Sequence, residues 1–279
     1  MMHYHHLPVH DRELIMRAFW AAILALGGLW ILLRPNAQSW LSGAGCYFRT
    51  PDDLTPDQVS RLDRTLEARR QAETAPQPWH RWLGILALAA AVAQIVPAVP
   101  YAIPYAVFCL GLAGSRWLSY SSMHRATQRR AAALVRRSPM EAFQPFLMLG
   151  VGAALASVVL MAWVAPLRVP VAAVAIATGL LIWIMWQIAS SRALLFGNDP
   201  KMEYAVDRRI REGRVMNLAL LACAPAFVLV APSSPLVPEV YRSLTDAAFW
   251  LAAAAFFATA ASIYILSRRA TAEFERAVA

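Results

Sequence analysis

The sequence predicts an all-α fold: a polytopic transmembrane helix bundle of about seven apolar helices with amphipathic helices on its cytoplasmic side. Three observations carry this expectation. Of 279 residues 59% are hydrophobic and 15% charged, with a mean hydropathy of +0.45, whereas soluble domains hold roughly 45–50% apolar and about 25% charged residues. The apolar residues gather into charge-free stretches at 18–33, 82–115, 142–167, 169–191, 215–238 and 247–267, and about 20 such residues cross a bilayer. The 26 basic residues, all Arg except Lys201, lie beside these stretches. That placement points to lipid headgroups and membrane orientation.

The composition also excludes several classes. Low charge rules out a disordered chain, and 12 Gly in 279 residues rules out collagen-like repetition. Cys46, Cys109 and Cys223 are scattered without a CxxC, so neither a disulfide framework nor a metal cage is expected. His3, His5, His6 and His10 are spaced like a tag rather than a metal site.

Taken in order, residues 1–17 read as an N-terminal tail and 18–34 as the first transmembrane helix. Residues 35–81 form a polar segment, where Thr55-Pro56-Asp57-Gln58 fits a capping box with Pro at the first helical position. A surface helix over about 55–73 follows, with Val59, Leu62 and Leu66 on one face. Residues 82–267 hold the main bundle of six apolar helices. Its first stretch of 34 residues would make a helix of about 51 Å, too long for one crossing, and Pro97, Pro100 and Pro104 divide it into two helices. Ser138-Pro139-Met140-Glu141 repeats the capping pattern, and Asp199-Pro200 opens a helix that continues toward the sixth span. Residues 268–279 read as a cytoplasmic tail. Ser115-Arg116, Ser191-Arg192 and Ser267-Arg268 recur at intervals of 76 residues, a weak sign of an internal repeat.

Orientation follows from arginine placement. Segments 116–141 and 192–214 carry six basic residues each, while the gaps after the fourth and sixth apolar helices carry only Arg168 and Arg242. The positive-inside rule places the two basic segments and the C-terminus in the cytoplasm, most simply at a bacterial inner membrane. The side of the N-terminus stays open, because a single crossing over 82–115 would export residues 35–81 instead.

No Asp, Glu, Lys or Arg falls in the middle of an expected span. Ion pumps and proton-coupled carriers usually need such a group. The polar residues expected in the bundle interior are Gln94, Gln187 and Asn217. Arg125, Arg129, Arg130, Arg136, Arg137, Arg208, Arg209 and Arg211 are the candidates for lipid headgroups or phosphate. Aromatic platforms do not interleave with them, so nucleic acid is not an expected partner. GxSxG, HExxH, Walker and GxGxxG patterns are all missing.

One stretch supports a catalytic alternative. Asp199, Glu203 and Asp207 recur every four residues after Asn198, a spacing that aligns three carboxylates beside the membrane and suits Mg²⁺ bridging a diphosphate. Asn198-Asp199 with the two later carboxylates resembles the first acidic motif of the intramembrane aromatic prenyltransferases. Met202 stands where that motif has a carboxylate, and no second motif follows residue 207; Asp53 and Asp57 are the only substitutes by spacing. The resemblance implies a Mg²⁺-dependent enzyme acting on a lipid-linked or prenyl diphosphate. The competing reading has Asp199 cap its own helix while Glu203 and Asp207 pair with Arg211 and its neighbours. The reading preferred here is a membrane component without a catalytic motif and without a cofactor. It is either a permease-like subunit or an assembly scaffold, in contact with membrane lipids and with other membrane subunits or itself.

Overall fold

A computed structural model describes residues 9–33, 55–73, 79–96, 99, 102–128, 145–164, 168–191, 200–230 and 239–278. Of these described residues 96% are helical and none lies in a strand. The helices are α1 (Val9–Leu33), α2 (Pro56–Glu73), α3 (Trp79–Ile95), α4 (Ala102–Gln128), α5 (Pro145–Ala162), α6 (Arg168–Ala189), α7 (Pro200–Val230) and α8 (Arg242–Val278), with a short 3-10 turn, Glu239–Tyr241, leading into α8.

Among the described residues, three segments are long and apolar enough to cross a membrane: Arg168–Ala189, Lys201–Val230 and Glu239–Ile265. Arg17–Leu33, Arg81–Ile95, Ala102–Ser115 and Leu147–Ala162 are apolar but shorter. Of the about seven apolar helices expected, three among the described residues thus reach spanning length, and the other four are shorter. The cause is partly visible in the chain, because the long apolar stretch over 82–115 is shared between α3 and α4. Pro97 and Pro100 fall in the sequence between these helices, and Pro104 falls in the first turn of α4, where proline is tolerated. A 15-residue apolar helix rises only about 22 Å.

Helix α7 is the centre of the molecule. Its apolar window is 78% buried, against 44% for α6 and 28% for the last span, and it packs against α4, α5, α6 and α8. Its buried residues Leu218, Ala219, Ala222 and Ala226 join Val174, Leu181 and Ile188 of α6 and Ala248 and Ala252 of α8 in one core. Helices α5 and α8 meet closely: Ser157 Oγ donates to the Ala248 carbonyl at 2.9 Å, and a methyl group on Gly150 would collide with Thr259 Oγ1.

Helices α1 and α3 form a pair at the side of this core. A methyl on Gly28 would lie 3.0 Å from both Ala87 Cβ and the Gly84 carbonyl oxygen, so glycine lets the two backbones approach. The pair joins the rest through α4, where the rings of Trp20 and Tyr105 pack edge to face at 5.5 Å. Large apolar side chains turn outward around the bundle, among them Val92 at 66%, Trp163 at 75%, Ile176 at 64% and Trp250 at 70% exposure. Water disfavours so broad an apolar surface; lipid does not.

Candidate functional site

The charged half of α7 is the most unusual stretch of the chain. It starts at Pro200, the position where proline's fixed φ suits a helix start, and runs without a break into the apolar half. Asp199 lies outside the described residues. Glu203 sits in the first turn, where a carboxylate favours the helix dipole.

Most of the charged side chains here are buried. Glu203, Asp207 and Glu212 are 1%, 2% and 6% exposed, and Arg209, Arg211 and Arg214 are 4%, 3% and 5% exposed. Three acids thus share a short buried segment with three arginines, which limits the desolvation cost because each charge has an opposite charge on the same helix. The Arg211 Nη2 atom lies 2.7 Å from Asp207 Oδ2, both nearly inaccessible. Arg208 Nε donates to Glu212 Oε1 at 2.9 Å, with Arg208 half exposed.

Two neighbouring elements bury this segment. Met202, Val206 and Ile210 recur every four residues and make a stripe that packs on Leu62 of α2, with Leu66 and Ala205 beside it. The α2 helix is held by the capping box its sequence predicts: Thr55 N–H donates to Gln58 Oε1 at 2.9 Å, and Gln58 N–H donates to Thr55 Oγ1 at 3.4 Å. On the bundle side, Arg211 Nη1 donates to the carbonyl of Ala189, the last residue of α6, at 3.5 Å. Arg211 Nε has no partner.

Arg17 does the same work on another helix. It is 7% exposed, and its Nη1 donates to the carbonyls of Gln94, Val96 and Val99 at 3.3, 3.1 and 2.8 Å. Arg211 through Ala189, and Arg17 through Gln94, therefore meet carbonyls in the last turn of a helix, where intrahelical donors are missing, and place positive charge near its negative pole; Val96 and Val99 lie just past the end of α3.

Of the residues singled out from the sequence, Glu203, Asp207, Arg208, Arg209 and Arg211 lie together on the charged half of α7. Asp207 faces Arg211, and Asp57 pairs with Arg61 at 2.7 Å on the exposed side of α2; Asp53 lies outside the described residues. No group of three His, Cys, Asp or Glu that could hold a metal occurs among the described residues. Gln94 is wholly buried and its amide atoms have no partner, whereas Asn217 is partly buried. Gln187 corrects the expectation of an interior position, because it is exposed. The inner face of α6 is taken by Thr178, Leu181, Ile184, Met185 and Ile188, and residue 187 falls off that helical stripe. Arg129, Arg130, Arg136 and Arg137 lie outside the described residues, and the Arg125 side chain is not described.

Sequence reasoning passed over Arg17, Glu212 and Arg214. The spacing of Arg208 and Glu212 could have revealed the second. Arg17 gave no local signal, since its partners lie 77 to 82 residues away. No protein-family model, characterised protein or solved structure matches this chain.

Proposed function

We propose that the chain is a multi-pass protein of a bacterial inner membrane, with seven apolar helices in or re-entering the bilayer and a cytoplasmic C-terminus. Its role is that of a non-catalytic assembly scaffold. The observation that carries the reading is the buried, internally paired charge of α7. Arg211 holds the end of α6 through the Ala189 carbonyl, while the stripe Met202, Val206 and Ile210 on the same segment seats α2, and together they would form a cytoplasmic platform continuous with the central helix. Groups committed to one another in this way are poorly disposed to bind a metal diphosphate, so the Mg²⁺-dependent enzyme reading finds no favouring observation.

The permease version of the reading receives less support. It calls for a polar cavity lined by Gln94, Gln187 or Asn217, and of these Gln187 is exposed. The scaffold's contact surface is then the arginine-rich chain over 125–137 and the outer face of α2, suited to anionic lipid or an acidic partner subunit. Purification of the full chain in mild detergent after crosslinking in the membrane tests this. A co-purifying subunit or a defined homo-oligomer, weakened by Arg129→Glu with Arg130→Glu, is the expected result. A stable monomer with no crosslinked companion overturns the scaffold.

A further inference from the structure

Glycine and arginine contacts fix how α1, α3 and α4 run relative to one another. A methyl on Gly28 would meet Ala87 and one on Gly84 would meet Leu32, whereas Arg17 reaches Gln94, Val96 and Val99, so α1 runs antiparallel to α3. The same holds for α3 and α4. A methyl on Gly111 would meet Leu83 and Leu86, while Tyr105 packs beside Ala90 and Ala91. Arg17 therefore stands where α3 stops and α4 starts, and Leu33 stands at the other end of the trio.

Contacts with α6 and α7 place those ends in the bundle. Trp117 of α4 lies against Trp183 of α6, with ring centroids 6.0 Å apart. Trp183 is about 9 Å by helical rise from Ala189, whose carbonyl accepts from Arg211 in the charged half of α7. From Trp117 the start of α4 leads away from that charged segment, because Ala102, Ala106, Cys109 and Ala113 share one apolar core with α6 and the apolar half of α7. Ala102, and Arg17 with it, is thus about 22 Å along α4 from Trp117. We infer that α1 starts on the face opposite the charged half of α7, the outer face in the proposed orientation, and that α3 and α4 are two separate crossings closed at that face by Arg17. An arginine there runs against the positive-inside tendency. The three carbonyls at and just past the end of α3 explain its tolerance, since they take up its donors at a negative helix pole while it is only 7% exposed.

The inference rests on the chain spanning a membrane, but not on its being a scaffold. Leu14 and Leu33, near the two ends of α1, are 56% and 76% exposed. In the full chain cleared of Cys46, Cys109 and Cys223, Leu14→Cys and Leu33→Cys are compared with Lys201→Cys and Val240→Cys for reaction with an impermeant maleimide, before and after permeabilisation of cells. Position 14 should label with 240, and position 33 with 201. The second match tests α3 and α4 as well, since a single crossing over 82–115 would put positions 33 and 201 on opposite faces. Labelling of 14 with 201, of 33 with 240, or of 14 and 33 together overturns the inference. An exchange of 201 and 240 with 14 still following 240 upholds it and reverses only the proposed orientation. A chain found in the soluble fraction, labelled at no position until cells are opened, removes the membrane reading and this inference with it. An epitope tag on the N-terminus of the chain with its native cysteines guards against misfolding of the cysteine-free form. Protease added to spheroplasts should remove the tag, and a tag digested only after lysis, while position 240 labels from outside, overturns the inference.

Discussion

At the scale of the residue, the structure makes sharp demands where sequence patterns look bland. Asp207 and Arg211 are each almost inaccessible and 2.7 Å apart. Removing one partner strands the other charge, and such losses cost about 3–5 kcal/mol, whereas replacing both with apolar residues of similar volume is often neutral. Asp207→Ala should therefore sharply lower the melting temperature in detergent, while Asp207→Leu with Arg211→Leu recovers most of it. A double variant as unstable as the single one would show the pair to be needed for more than charge balance. Gly150 makes the opposite demand, for absence of a side chain. Gly150→Ala drives a methyl into Thr259 Oγ1, and overpacking of this kind costs about 1–3 kcal/mol. Thr259→Ala should relieve it in the double variant, so thermal unfolding of the four chains will show whether the two costs are coupled. Gln94 differs from both, since its buried amide has no partner; Gln94→Leu should leave stability unchanged or raise it.

At the scale of the element, α2 shows how much the sequence discloses. Its capping residues, its length and the packing face built on Leu62 are all legible in residues 55–73, because caps and helical stripes are local properties. What it packs against was not legible: Met202, Val206 and Ile210 lie about 140 residues further on and read as incidental apolar positions in a charged segment. The carboxylates at 203 and 207 left two readings open for the same reason. Their spacing is equally good for a metal edge and for pairing with arginines one turn away, and only the burial of both partners separates the cases. Gln187 was misjudged because polarity alone does not say which way a helix turns in the bundle, whereas the run of Leu181, Ile184, Met185 and Ile188 does. Docking of α2 is testable on these terms. Thr55→Ala should cost about 1 kcal/mol of helix stability, and Leu62→Asp should free α2 from α7 and expose residues 56–73 to trypsin, which cuts at their arginines. Unchanged proteolysis of Leu62→Asp would mean that the helix is held by something other than this contact.

At the scale of the whole molecule, the arrangement makes a prediction about sidedness. Lys201 is exposed at the charged end of α7 and Val240 just before the last helix, and the topology proposed from the basic-residue asymmetry would set them on opposite faces of the membrane. Cysteines introduced by Lys201→Cys or Val240→Cys, after removal of Cys46, Cys109 and Cys223, should label differently in intact cells. Position 240 should react with an impermeant maleimide, and position 201 only after permeabilisation. Labelling of position 201 from outside would invert the topology.

The central place of α7 also has a consequence for how the chain is made. Synthesis delivers the polypeptide N-terminus first, so α1 and α3 can close on their facing glycines before the rest of the bundle is translated. By the time α7 emerges, four of the helices that surround it, α2, α4, α5 and α6, already exist, and it enters a slot rather than founding a core. Its charges travel with their own counterparts: Asp207 and Arg211, like Arg208 and Glu212, are one turn apart and neutralise each other as soon as that turn forms. Only α8 remains to be added, and a nascent chain paused at residue 230 presents the machinery of insertion with a bundle open along one seam.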